Sequence, residues 1–86
     1  MGSVAVTFRL MPESPDADLA EIRKAVQGAL GATVRGTQEK DIAFGVKALL
    51  VLAVVEDAAG ASDRVESKLA AIPGVGSVEA IDVTLV

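Results

Sequence analysis

Apolar side chains recur at every second position near the start of the chain. In residues 3–10, SVAVTFRL, this apolar series is Val4, Val6, Phe8 and Leu10. A period of two predicts a half-buried strand. The next segment, MPESPDAD, is rich in proline and acidic residues and ends at Asp18, three positions before Glu21. That spacing is typical of a capping box and predicts the start of a helix.

The apolar period lengthens to three and four after Asp18. Residues three and four apart share one side of a helix. The apolar face of this predicted helix carries Leu19, Ile22, Val26 and Leu30. Gly31 then ends the helix, because glycine readily adopts the left-handed conformation that terminates many helices.

Two contrasting segments follow the first helix. Residues 33–40 are mainly polar, and Val34 is their only large apolar residue, which predicts a weak strand at a sheet edge. Residues 46–55 are almost continuously apolar and rich in β-branched side chains. Such a run predicts a central strand.

A second helix and a last strand complete the chain. We expect Ser62 or Asp63 to cap this helix and the Pro-Gly pair at 73–74 to end it. Its apolar face carries Val65, Leu69 and Ile72. The last strand alternates Ile81, Val83 and Leu85 with polar residues, and Val78 is out of phase with them. The change of phase indicates a β-bulge.

The order strand, helix, strand, strand, helix, strand indicates an α+β fold of the ferredoxin-like, split βαβ type (βαββαβ). Two helices then cover one face of a four-stranded antiparallel sheet and leave the other face open. We expect one domain over residues 1–86. Reversal of direction places residues 11–18, 41–45 and 73–76 at one end of the sheet. Both chain termini are expected at the other end, roughly 20 to 30 Å away.

The composition narrows the classes of function. The chain has no cysteine and no histidine, which excludes disulfides, thiolate zinc sites and histidine bases. We therefore expect a protein that is not an enzyme. A net charge of −4 with interspersed signs argues against direct nucleic acid binding. The longest apolar run, residues 48–55, is far shorter than a spanning helix, so we expect no membrane segment and a cytoplasmic location.

The carboxylates of residues 13–18 suggest a metal site at first sight. Acidic residues beside a helix start are more often solvated capping residues, which favour the positive end of the helix dipole. We expect no cofactor and no metal site here.

Three segments resemble the archaeal elongation factor 1-beta family. They are MPESPDADL at 11–19, IAFGVKALLVLAVVEDAAG at 42–60 and VEAIDV at 78–83, and the similarity covers essentially the whole chain. The resemblance implies a translation elongation factor that promotes exchange of GDP for GTP on elongation factor 1-alpha. It also implies that the factor binds this GTPase and destabilises its Mg²⁺ and nucleotide site, without covalent chemistry.

The resemblance assigns partner-binding residues at two places. The aromatic residue at the turn between the second and third strands corresponds to Phe44, with Gly45 beside it and Lys47 as a rim contact. The end of the last strand corresponds to Thr84, Leu85 and Val86. This tail differs from many relatives, which end in basic residues, because the last basic residue here is Lys68.

Leu50 is a second difference, since related strands tend to carry an amide there. It makes the series Leu50, Leu52 and Val54 more apolar on the expected open face. Self-association or added stability is one interpretation, and a larger apolar contact with the GTPase is the other.

A small ACT-type regulatory domain that binds an amino acid or another small ligand is the alternative function.

Overall fold

The computed structural model describes residues 2–14, 16–43, 45–57 and 60–85. The elements follow the predicted order βαββαβ. They are β1 (Ser3–Pro12), α1 (Leu19–Leu30), a short 3₁₀ turn (Gly31–Thr33), β2 (Val34–Ala43), β3 (Val46–Glu56), α2 (Ala61–Ala70) and β4 (Val75–Leu85). The ferredoxin-like fold predicted from the sequence is confirmed.

The four strands form one antiparallel sheet in the order β2-β3-β1-β4. The apolar strands β1 and β3 occupy the centre, and the two edges belong to β2 and β4. The sequence predicted a central position for β3 from its continuous apolar run, and this prediction is confirmed. The predicted edge position of β2 is confirmed, although the strand is longer than expected and reaches Ala43.

One face of the sheet packs against both helices. Alternate residues of β1 and β3 are buried there, and α1 contributes Ile22 and Val26 while α2 contributes Val65 and Leu69. The strand residues of this core are Val6, Phe8, Leu10, Leu49, Val51, Ala53 and Val55. Phe8 is only 1% exposed, so its large apolar surface stabilises the helix–sheet interface.

The opposite face carries no helix, and we call it the open face. Antiparallel partners point to the same side of a sheet, so the register assigns its members. They are Gly36, Gln38 and Lys40 from β2, Leu50, Leu52 and Val54 from β3, Ala5, Thr7 and Arg9 from β1, and Glu79, Asp82 and Thr84 from β4.

Helix boundaries match the sequence unevenly. The Asp18 carboxylate caps α1, but it accepts from the Ala20 amide at 2.9 Å, one residue earlier than the capping-box spacing predicts. Gly31 ends α1 with a φ of 56°, as predicted. The prediction of Ser62 or Asp63 as the cap of α2 was wrong. Gly60 holds that position with a φ of 81° and no side-chain bond, because its left-handed backbone starts the helix earlier.

The predicted bulge in the last strand is present. Thr7 pairs with Asp82 and Phe8 pairs with Ala80, so Ile81 is the extra residue. Its insertion brings Val78 into register with Leu10 on the helix side. The bulge therefore accounts for the change of phase in the sequence.

Candidate partner-binding site

The turn between β2 and β3 is short. Ala43 pairs with Val46, so two chain positions separate the paired strands. Gly45, the second of them, has a φ of 79°. Tight hairpin turns need such left-handed residues, and glycine adopts them without steric cost. The sequence therefore fixes a sharp reversal at this end of the sheet.

A shallow hollow lies beside this turn, next to the first loop (residues 13–18) and the start of α1. Lys47 reaches it because it lies on the same side of β3 as Leu49, beyond the edge of the helix layer. The hollow has a volume of about 350 Å³ and is lined by Pro12, Ala17, Asp18, Leu19, Ala20, Glu39, Gly45 and Lys47. We call these residues the hairpin end.

The first loop is tied to the corner before β4 at the same end. The amide of Glu13 donates to the carbonyl of Gly74 at 2.9 Å. Gly74 has a φ of 93°, and a Cβ there would lie 3.5 Å from the Cδ1 of Ile22. The prediction that residues 11–18 and 73–76 lie at the same end of the sheet is confirmed. The hydrogen bond between Glu13 and Gly74 fixes the loop that lines the hairpin end.

Charge at the hairpin end is mixed. Lys47 lines the hollow together with Asp18 and Glu39, and its register partner is Asp41. Within the described ranges, the one ion pair shorter than 4 Å joins Arg9 to Glu79 and lies elsewhere. Lys47 therefore offers a solvated positive charge within acidic surroundings, as a rim residue would.

The opposite end of the sheet holds the end of β4. Leu85 pairs with Val4 and Thr84 pairs with Ala5. The Thr84 hydroxyl donates to the Asp82 carboxylate at 3.4 Å, while the Leu85 side chain is 74% exposed. The two described residues of the predicted tail site are therefore both accessible to a partner.

Two further apolar side chains accompany Leu85. Val83 is 62% exposed and Ile81 is 44% exposed, although an alternating apolar series ordinarily faces the core. Val83 pairs with the buried Val6, so it lies on the helix side, where the helix layer leaves this stretch uncovered. We call Ile81, Val83, Thr84 and Leu85 the β4 end. The sequence analysis did not assign Ile81 and Val83 to the site, and the change of phase at Val78 was their only signal.

The predicted site residues form two separate groups. Val46 begins β3 beside the turn, whereas Val55 pairs with Val4, which in turn pairs with Leu85. Val55 lies nine positions after Val46 along β3, so these rows are roughly 30 Å apart. Phe44 and Val86 lie outside the described residues, so their roles stay predictions.

The described residues form no buried polar or metal-binding cluster. Their buried set contains no polar or charged residue, and no group of three or more potential metal ligands occurs among the residues searched. No helix among the described residues is long and apolar enough to cross a membrane.

Comparison with known families supplies the remaining observation. Residues 5–86 match the model of the EF-1 guanine nucleotide exchange domain. The chain belongs to the EF-1 guanine nucleotide exchange domain family. This confirms the family resemblance found in the sequence.

Similar proteins align with this chain over nearly their whole length. Elongation factor 1-beta of Methanoregula boonei is 51% identical over 85 residues, which cover 99% of both chains. The protein of the same name from Methanosphaerula palustris is 47% identical with equal coverage, and that from Methanothermobacter thermautotrophicus is 42% identical over 96% of both chains. Membership in this exchange-domain family decides against the ACT-type alternative.

Proposed function

We propose that the protein promotes exchange of GDP for GTP on elongation factor 1-alpha during translation in the cytoplasm. The observation that carries this proposal is the match to the exchange domain over residues 5–86. Support also comes from full-length similarity to proteins named elongation factor 1-beta. The exchange requires binding energy alone, so no covalent step and no resident cofactor enter the mechanism.

The two ends of the sheet would bind two regions of the GTPase. At the hairpin end, Phe44 would act as the aromatic anchor beside Gly45, with Lys47 at its rim. At the β4 end, Thr84, Leu85 and Val86 would approach the nucleotide site. The separation of roughly 30 Å between the ends and the exposure of Leu85 support simultaneous contacts with different parts of one large partner.

The nucleotide and the exchange factor must then oppose each other's binding. If the factor weakens GDP by a given ratio, linkage requires that nucleotide weaken the factor by the same ratio. We propose that the β4 end does this by disturbing the Mg²⁺ and nucleotide site of the GTPase. Because Lys68 is the last basic residue, the disturbance would arise from the apolar side chains of the β4 end rather than from a competing charge.

Release of a fluorescent GDP analogue from elongation factor 1-alpha tests the exchange. The off-rate should rise with the concentration of this protein and reach a plateau. The rate in excess unlabelled nucleotide without this protein is the reference. An unchanged off-rate at stoichiometric and higher amounts would exclude exchange activity on that GTPase.

Replacement of Phe44 with alanine tests the hairpin anchor. An interface anchor truncated to alanine typically costs about 2 kcal/mol or more, so binding to the GTPase should weaken at least about 30-fold. Titration calorimetry measures the affinity, and thermal unfolding should show little change. Arg23→Ala on the exposed surface of α1 is the control, because this surface belongs to neither end of the sheet and not to the open face. Equal losses for the two variants would contradict an anchor role for Phe44.

A further inference from the structure

The centre of the open face is apolar. Leu50, Leu52 and Val54 follow one another along β3, and Leu52 is 38% exposed. A shallow hollow of about 300 Å³ lies beside them, lined by Thr7, Gly36, Thr37, Gln38, Leu50 and Leu52. Gly36 pairs with Leu52 and has open space where a Cβ would stand. The hollow thus results from a missing side chain next to an exposed leucine.

The two margins of the open face differ in charge. On the β2 margin, Arg35 is the bulge residue before Gly36, and Lys40 pairs with Ala48. The acidic residues of β2, Glu39 and Asp41, pair with Leu49 and Lys47 and therefore lie on the helix side. On the β4 margin the charged residues are acidic, Glu79 and Asp82.

The positive charge nearest the middle of the open face is already paired. Nη2 of Arg9 donates to Oε2 of Glu79 at 2.6 Å. This ion pair joins β1 to β4 within the molecule, so it leaves Asp82 as the acidic group available to a neighbour. Gly36 and Asp82 then lie at opposite margins of one row, because Gly36 pairs with Leu52, Leu52 with Thr7, and Thr7 with Asp82. Arg35 precedes Gly36 at the bulge of β2, next to this row.

This arrangement is self-complementary. Consider a two-fold axis that lies between two stacked sheets and runs parallel to the strands. It places each row of cross-strand neighbours over the same row of the other copy, with the order from β2 to β4 reversed. The basic β2 margin of one copy then lies over the acidic β4 margin of the other, and the apolar centres meet. An axis across the strands would put like margins together. Side-by-side pairing of two β4 strands would bring the acidic residues Glu79 and Asp82 of one copy close to those of the other.

We propose that a second copy of this chain docks on the open face, with the two-fold axis along the strands and Arg35 facing Asp82 of the other copy. Strands of ten and eleven residues in a four-stranded sheet give a face of roughly 35 by 19 Å. This is below the roughly 800 Å² per partner of a standard stable interface. The dimer is therefore expected to be weak and to form at high protein concentration.

Sedimentation velocity over about 10 µM to about 1 mM tests this association without the GTPase. At low salt the weight-average mass should rise above the monomer mass of 8.7 kDa toward twice that value. About 0.5 M NaCl should reduce the rise, because salt screens the exposed charges. A monomer mass at every concentration would overturn the proposal. Because no GTPase is present, failure here is independent of the exchange activity.

Charge reversal tests the orientation of the two copies. Arg35→Glu and Asp82→Arg should each weaken the dimer about three- to tenfold, because each places like charges opposite one another. The double variant exchanges the two signs and should regain the original dissociation constant. Arg23→Glu is the matched control, since it makes the same change on the exposed surface of α1 and should have no effect. Thermal unfolding checks that each variant is folded. A double variant weaker than both single variants, or a control as weak as Arg35→Glu, would overturn this arrangement.

Discussion

The two edge strands protect the sheet in different ways. β2 carries charged residues on both of its sides, including Arg35, Glu39 and Lys40, and its register is interrupted near both of its ends. The second half of β4 carries Ile81, Val83 and Leu85 in exposed positions. Charges and bulges are common means of preventing edge-to-edge aggregation. Both edge strands have two register shifts, so the difference lies in charge: β2 is charged on both sides, whereas the charged residues of β4, Glu79 and Asp82, lie on the open face.

The contrast extends along β4 itself. Its first residue, Val75, is 7% exposed, as is Ile72 in the preceding turn, while Leu85 near its end is 74% exposed. The strand is therefore anchored in the core at the start and accessible at the end. An accessible apolar strand end favours a surface that a partner covers, which agrees with the proposed contact at the β4 end.

The largest expected effect separates the turn that precedes β4 from the accessible part of the strand. Ile72→Ala should lower the free energy of unfolding by about 3 kcal/mol, because it leaves a cavity in the core. Ile81→Ala, the same substitution at a 44% exposed position, should cost less than about 1 kcal/mol. Urea denaturation measures both values. Equal costs would contradict the contrast between the anchored turn before β4 and the accessible strand.

A pair of glycines compares the two edges directly. A Cβ on Gly76 would lie 3.1 Å from both the carbonyl oxygen of Pro12 and the Cα of Glu13. Gly76→Ala should therefore cost about 1 to 2 kcal/mol through strain in the backbone of β1 and β4. Gly36→Ala on β2 meets open space and should be neutral or stabilising by up to about 1 kcal/mol. The denaturant midpoint of the Gly76 variant should fall, while that of the Gly36 variant should stay unchanged or rise. Equal destabilisation of the two variants would refute the difference in packing.

Shortening the exposed Leu85 side chain tests whether the accessible part of β4 serves binding rather than stability. Leu85→Ala should change the free energy of unfolding by less than about 0.5 kcal/mol, as surface substitutions usually do. If the β4 end contacts the GTPase, the same variant should lose about 1 kcal/mol of binding and a corresponding part of the exchange rate. Titration calorimetry and nucleotide release measure these. A large loss of stability with normal exchange would assign Leu85 to the fold instead.

The smallest effect concerns the ion pair that links β1 to β4. Glu79→Gln removes the partner of Arg9, but the two side chains are 36% and 61% exposed. Exposed pairs usually contribute up to about 1 kcal/mol, so the loss should be small at low salt and smaller still in about 0.5 M NaCl. Thermal unfolding of the variant and of the unmodified protein at both salt concentrations measures the loss. A loss that salt leaves unchanged would indicate a packing role for Glu79.

Most of the fold could be predicted because burial follows regular periods in this chain. Alternation in β1, the continuous apolar run of β3 and the spacing of Leu19, Ile22 and Val26 all reflect contacts with one core. Even the bulge at Ile81 was indicated by the phase of Val78. β2 was predicted too short, because its backbone pairs with β3 whatever its side chains are, and polar residues give little sign of where such pairing ends.

The helix cap and the candidate site show what periodicity leaves out. The backbone of Gly60, and not a side chain, starts α2, so a search for capping side chains selected Ser62 and Asp63. The exposure of Val83 depends on how far the helix layer extends over β4, which is a property of the assembled fold. The sequence pattern could place Lys47 and Leu85 at opposite ends, whereas the hollow lined by Asp18 and Glu39 required the packed structure.

The bulge in β4 makes strand register as decisive as residue type. Because side chains alternate between faces, regular pairing through Ile81, without the bulge, would transfer Val83 and Leu85 to the open face and move Asp82 and Thr84 to the helix side. The apolar contact at the tail and the acidic margin of the sheet would then exchange places without any change in composition. A relative that lacks one residue at this point and pairs regularly would present the same surfaces, because loss of the bulge compensates for the alignment gap.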